Sequence, residues 1–211
     1  MAAVTNNNDD AGQSRAESGL ILASTSAARR AMLRQAGLDF AAIPSGVDEA
    51  TLKQGFTGTP EELALALAEA KARAVSAAHP QALVLGADQL LVCEGAVFDK
   101  PADLAEAAVH LRRLSGRAHQ LVTAACVVRG GKIIWSHAER ATLEVRGLSE
   151  DFIARYLEAE GAEILGCVGA YRLEGLGAQL FTRVEGDYFT ILGLSLLPLL
   201  GFLRAAGVLA G

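Results

Sequence analysis

From residue 20 onward, short apolar runs alternate with stretches of helical periodicity, which restricts the chain to a sheet covered by helices. Leu20-Ile21-Leu22-Ala23 reads as a buried strand. Ser24-Thr25-Ser26 follows, then a helical stretch over about Ala27–Ala36 closed by Gly37. Asp39–Ile43 reads as a second strand, and Gly46–Gly58 as a loop holding Asp48-Glu49. The sharpest helix start is Thr59-Pro60-Glu61-Glu62: Thr caps, Pro takes the first helical position and Glu62 completes a capping box. That helix is expected to run to about Ala78. Ala82–Gly86 reads as a strand ending just before Ala87-Asp88-Gln89, and Glu94-Gly95 as the turn of a hairpin between Leu90–Cys93 and Ala96–Phe98. A helix over about Asp103–Leu114 precedes two long strands, His119–Val128 and Lys132–Val145, joined by Arg129-Gly130-Gly131. Ser149 caps a helix ending at Gly161, and three further apolar segments lead to a last helix. No repeat of fixed period and no linker interrupts this order. The expectation is one mixed α/β domain with several antiparallel strand pairs.

Composition narrows the function. The chain has 211 residues, of which 51% are hydrophobic, enough for a sizeable core and too many for a disordered chain. Its formal charge of −5 argues against duplex DNA as a partner, while small anions need only a local basic cluster. Cys93, Cys126 and Cys167 are scattered, odd in number and flanked by apolar residues, so they read as buried small hydrophobes inside the cell. Residues 1–19 lack the basic start and apolar stretch of a signal peptide and read as a disordered tail. The apolar stretch Ile191–Leu203 is too short to span a membrane, which takes about 20 apolar residues, and reads as a buried carboxy-terminal helix.

Four segments can carry chemistry. Ser24 to Arg30 joins a strand to a helix, where hydroxyls and free N–H groups make an anion site. Arg29 and Arg30 in the first turn oppose the helix dipole unless an anion binds there; surface ion pairs are the alternative. Asp88, at the expected strand end, suits metal binding or proton transfer, and equally a turn. Lys71 and Lys100, added to the arginines, are enough cations to neutralise a triphosphate, although each alone suits a solvated surface. Gly169 to Gly177 is glycine-rich around Glu174, whose carboxylate can accept N–H bonds from a base edge; an ordinary turn is the alternative. His79, His110, His137, Met32 and Trp135 read as surface or packing residues.

In their order, these pieces resemble the Maf family of nucleoside triphosphate pyrophosphatases. The pieces are Leu22 to Ser26 with Arg29-Arg30, Asp48-Glu49, Leu67-Ala68 with Lys71-Ala72, Gly86-Ala87-Asp88, and Lys100-Pro101. Leu114 to Arg117 with His119, Gly169-Ala170-Tyr171, Glu174 to Gly177 and Gly193-Leu194 complete them. Each is common alone; together, over residues 20–204, they are highly specific. The resemblance implies a cytoplasmic, often dimeric enzyme with an elongated α/β fold: a mixed twisted sheet, flanking helices and a central cleft, like inosine triphosphate pyrophosphatase. It implies cleavage between the α and β phosphates of a nucleotide, with Mg²⁺ or Mn²⁺, and no nucleic-acid or membrane partner. By the same resemblance Asp88 is the acid–base and metal residue and Glu49 a second acid at the metal. Ser24, Arg30, Lys71 and Lys100 surround the phosphates. A nucleotide-binding regulator of septum formation with little turnover is the competing reading. The chain departs from the family pattern at Ala27, where Pro is usual, and at Ser195, also usually Pro. Ala28 replaces the Arg of the dTTP/UTP branch or the Trp of the 7-methyl-GTP branch. Gln89 and Glu174 resemble the 7-methyl-GTP branch, where the pyrimidine branch has Thr and Gln. An ionised Glu174 accepts but cannot donate, which suits the adjacent N1–H and N2–H of guanine better than the carbonyl-flanked N–H of uracil.

Overall fold

The computed structural model describes residues 19–210. The expected tail therefore lies outside the described residues, except for Gly19. The chain runs β1 (Leu20–Leu22), α1 (Ala27–Gln35), β2 (Phe40–Ala42), α2 (Glu49–Lys53) and α3 (Pro60–Ser76). Next come β3 (Leu83–Cys93), β4 (Ala96–Phe98), α4 (Leu104–Leu114), β5 (Ala118–Arg129), β6 (Lys132–Val145) and α5 (Glu150–Glu160). Two 3₁₀ turns, Gly161–Gly166 and Leu176–Leu180, lead to β7 (Phe181–Glu185), the short α6 (Tyr188–Ile191) and α7 (Leu196–Ala205). Among the described residues no helix is long and apolar enough to cross a membrane.

The expected mixed sheet is present. Its order is β2-β1-β3-β5-β6-β7, with β4 also on β3. The β2–β1 and β1–β3 pairs are parallel and the others antiparallel. Strand β3 positions the site. On one edge it pairs with β5 from Val84 to Val92. On the other it pairs with β1 through Leu83–Leu85 and with β4 only through Leu91–Cys93. Residues 86–90 thus have a strand neighbour on one side alone, and the sheet forks there.

Side-chain alternation along β3 divides the core. Leu83, Leu85 and Ala87 pack with Met32 and Leu33 of α1 and Leu199 and Leu203 of α7. Val84 and Leu90 pack on the other face with Leu67, Ala68 and Ala72 of α3. Beyond the fork, Leu91 and Cys93 join the cluster around α4 and α5, which includes Leu111, Leu114, Ile153 and Tyr156.

Some readings of the sequence need correction. Expected strand 82–86 and hairpin arm 90–93 are one strand, so Asp88 lies in mid-strand rather than at an end. Weak local strand preference at Gly86 and Asp88 is overridden by continuous pairing with β5. The expected loop 46–58 contains α2, because Asp48 accepts from the Thr51 N–H at 3.2 Å and its hydroxyl at 2.6 Å and so starts a helical turn. The Thr59 capping box is formed as expected: Glu62 accepts from the Thr59 N–H at 2.7 Å while its own N–H donates to the Thr59 hydroxyl at 3.2 Å. Cys93 and Cys126 are buried as expected, but Cys167 is only partly covered and borders the cleft described below. Trp135 stacks on Phe202 of α7, in keeping with a packing role.

Gly86 sets how near α3 comes to the sheet. An added Cβ there would sit 2.0 Å from the Ala68 carbonyl oxygen and 2.9 Å from Ala72 Cβ. Because backbone rather than a flexible tip is in the way, Gly86→Ala is expected to destabilise the fold by about 1–3 kcal/mol. Gly201 in α7 has nothing within 4 Å of an added Cβ. Gly201→Ala should stabilise the fold by about 0.5–1 kcal/mol through helix preference. Urea-denaturation midpoints of the two variants, shifted in opposite directions, are the check.

Candidate active site

A cleft of about 690 Å³ opens at the fork. Its floor is the edge of β3. The α1 amino terminus, α2, the residues after β4, loop 166–174 and the α6–α7 turn form its walls. Asp88 and Gln89, adjacent on β3, point to opposite faces of the sheet, and both reach the cleft because the unpaired edge lies between those faces.

Asp88 and Lys71 are both buried, and Lys71 Nζ lies 2.5 Å from Asp88 Oδ1. The same Nζ lies 2.8 Å from Glu49 Oε1 on α2. One ammonium thus joins a strand, a long helix and a short helix. Lys71 can reach Asp88 because Gly86 lets α3 lie close, and helix periodicity puts Lys71 on the same face as Leu67, Ala68 and Ala72. Burial pulls the Glu49 carboxyl upward, but the Lys71 hydrogen bond and the charges of Lys71, Lys53 and Lys100 outweigh it and hold Glu49 below its ordinary range.

Arg29 supplies the second buried cation. Its Nε donates to the Gly193 carbonyl at 2.7 Å and its Nη1 to the Ser24 hydroxyl at 3.4 Å. Burial lowers its pKa, while the negative charges of Asp88 and Glu49 oppose that shift; a guanidinium stays protonated all the same. Gly193 holds φ at +101°, a conformation open to glycine, and this aims its carbonyl at Arg29. At the mouth, Lys53 Nζ lies 2.5 Å from Asp99 Oδ1, and Lys100 is exposed beside it.

Most residues singled out in the sequence meet here. Asp88, Glu49, Lys71, Lys100, Ala28, Gln89 and Glu174 all line the cleft. Glu174 stands exposed on its rim. Ser24 and Arg30 do not line it. Ser24 instead accepts from the Ser26 N–H at 3.2 Å and from Arg29. Arg30 is turned away, and its partly covered side chain leaves a buried Nε without a hydrogen-bond partner among the described residues. The cation facing the cleft is Arg29, and helix geometry gives the reason. Ser26 is the N-cap, so Arg29 is the third helical residue and its side chain leans back over the helix start. The sequence reading began this helix at Ala27, as observed, and took Arg30 from the family resemblance rather than from the helix phase. The sequence reading also passed over Glu160, whose buried carboxylate accepts from Arg172 Nε at 2.9 Å and the Leu176 N–H at 3.1 Å. This pair anchors the glycine-rich wall. His119, buried, lies 2.7 Å from the Tyr171 hydroxyl through Nε2, and burial pushes its pKa down to about 4, so it is neutral at pH 7.

The arrangement can hold a polyanion: buried Arg29 and Lys71 form its base and Lys53 and Lys100 its mouth, with a carboxylate at the floor to accept a proton. Among the described residues, no three His, Cys, Asp or Glu side chains form a metal-binding cluster. Lys71→Met should leave Asp88 buried without its ammonium and cost about 3–5 kcal/mol. Adding Asp88→Asn should recover a large part of that loss. Chemical denaturation of both single variants and the double variant measures the coupling, and additive losses would contradict it.

Comparison with known proteins places the chain. The family described as Maf-like protein matches residues 19–206. A nucleoside triphosphate pyrophosphatase of Granulibacter bethesdensis is 55% identical over 88% of this chain and 95% of its own length. A 7-methyl-GTP pyrophosphatase of Mesorhizobium japonicum is 53% identical over 91% of this chain and 98% of its own. Among solved structures, a dITP/XTP pyrophosphatase from Mycobacterium abscessus aligns over 92% of this chain and 100% of its own at 18% identity, with a TM-score of 0.41.

Proposed function

Because this chain belongs to the Maf-like protein family, we propose that its cleft hydrolyses the α–β phosphoanhydride of a nucleoside triphosphate, releasing a nucleoside monophosphate and pyrophosphate. The observation that carries the reading is the buried Asp88–Lys71 pair, joined by the partly exposed Glu49 of α2, in a cation-lined cleft. Cleaving a phosphoanhydride demands positioning and charge neutralisation more than covalent catalysis.

In this reading Arg29 and Lys71 hold phosphate oxygens in the interior, while Lys53 and Lys100 meet the charge at the mouth. Arg29 takes the part that the sequence reading gave to Arg30. Asp88 orients the attacking water and takes its proton as the water oxygen bonds to phosphorus and the pyrophosphate departs. Ser24 acts indirectly, through its hydrogen bond to Arg29. Asp88 and Glu49 also fit a divalent cation. Both reach one Nζ, and an oxygen-only pair of carboxylates suits Mg²⁺ or Mn²⁺ when phosphates and waters fill the remaining positions. When bound, such an ion would neutralise phosphate charge.

At the base end, Ala28 supplies no aromatic ring at its position, and Glu174 offers an acceptor from the rim. This favours guanine-type nucleotides over UTP and dTTP, with the weight on hydrogen bonding rather than stacking.

Pyrophosphate release is the test. Asp88→Asn should lower kcat about 10²–10⁴-fold while the fold is kept. Arg29→Ala should cost more than tenfold in kcat/KM, the expected scale for one charge-assisted contact to phosphate. Arg30→Ala should fall well short of it. Near-normal turnover in Asp88→Asn, or a larger loss at Arg30 than at Arg29, would overturn these roles.

A further inference from the structure

The segment between β2 and α3 is held to the molecule unlike any wall it faces. No residue from 44 to 58 is buried, and none belongs to the three core clusters or packs against them. Its backbone hydrogen bonds, such as Gln54 N–H to the Ala50 carbonyl and Phe56 N–H to the Lys53 carbonyl, stay inside the segment, as does the Thr51–Asp48 pair. Gly46 at φ +65° and Gly55 at φ +76° flank α2, and an added Cβ on either would meet nothing within 4 Å. The chain therefore turns into and out of α2 at two points free of packing.

Among the described residues, two ion pairs are the polar ties between this strap and the body. Lys71 of α3 reaches Glu49 at 2.8 Å, and Lys53 of α2 reaches Asp99 at 2.5 Å. Asp99 follows β4 and so belongs to a different wall of the cleft from α2; the second pair spans the mouth. Segments with few buried apolar contacts open locally at little cost, and active-site lids are drawn from them. The strap also contributes Glu49, Ala50, Lys53 and Gln54 to the cleft lining, so its opening would remove one wall. Asp99 is 72% exposed, and a single solvated carboxylate holds an ammonium weakly. A triphosphate carries several charges and is the stronger partner for Lys53.

We propose that residues 44–58 form a lid, that the Lys53–Asp99 pair is its latch in the chain without ligand, and that the nucleotide's phosphates take Lys53 from Asp99 and so close the lid on themselves. Closure also returns Glu49 to the Asp88–Lys71 pair. The inference rests on the pyrophosphatase reading for the identity of the ligand, whereas the latch is a property of the chain alone.

Amide hydrogen exchange of the full chain, followed by mass spectrometry on peptides covering 44–58, is the test. Without ligand, Asp99→Asn should speed exchange there about 2–5-fold, the scale of one partly exposed ion pair, and leave β5 peptides unchanged. Asp99→Glu keeps the carboxylate and should exchange like the wild type. Unchanged exchange in Asp99→Asn, an equal rise in both variants, or a rise that extends to β5 overturns the latch. The ligand arm uses Mg²⁺ with a GTP analogue whose α and β phosphates are joined by a methylene bridge and cannot be cut apart. At saturation it should slow exchange over 44–58 about 3–10-fold and erase the difference between the wild type and Asp99→Asn. A chain that binds the analogue by calorimetry yet exchanges as it does without ligand overturns the lid. A wild-type chain that releases pyrophosphate from no nucleotide refutes the pyrophosphatase reading instead, and the comparison without ligand then decides the latch.

Discussion

A lysine ammonium shared by two carboxylates in a buried position is the interaction on which the cleft depends. Lys71 bridges Asp88 of β3 and Glu49 of α2. Taking an ammonium and a carboxylate out of water is costly, and their attraction offsets the cost only when the geometry is close. That closeness traces to a missing side chain, since Gly86 lets the α3 backbone rest on the sheet. The same contact that packs the core thus places the cation at the cleft floor.

The fork in the sheet is the second requirement. A strand paired on both edges throughout would bury its backbone groups and leave no opening. Here β1 and β4 occupy the two ends of one β3 edge, and the gap exposes consecutive residues from both sheet faces. Asp88 therefore faces α3 and the buried cation, while Gln89 faces Thr123 and the α6 carbonyls. Strand alternation sends the two members of this dipeptide apart, so one joins the ion-pair group and the other the hydroxyl and carbonyl network. The interior of the cleft balances Arg29 and Lys71 against Asp88 and Glu49.

Much of the architecture was legible in local pattern. The Thr59 capping box, the Glu94-Gly95 hairpin, the two long strands joined at Gly130-Gly131 and the Ser149 cap all lie where periodicity and turn chemistry put them. The same holds for chemically distinctive side chains, since Asp88, Glu49, Lys71 and Lys100 do share a cleft. What escaped was whatever depends on a partner distant in the chain. The break expected within 82–93 is absent because β5 pairs straight through it. The choice of Arg30 over Arg29 is the exception: it followed the resemblance, although a helix starting at Ala27 already sets the phase. Glu160 carried no signal of its own, for its importance lies in Arg172 and Leu176.

The sequence by itself determined the kind of fold and the inventory of charge: a helix-covered sheet, a hydroxyl-rich helix start, and acids and lysines in a recognisable order. These follow from interactions within a few residues, which propensity, capping and alternation govern directly. Only the tertiary structure decided that Asp88 stands in mid-strand on a forked edge and that the Gln89 amide donates to the α6 carbonyls. Each of those outcomes is set by contacts between segments distant in sequence, where a backbone carbonyl from α6 or a close approach of α3 outweighs any local preference.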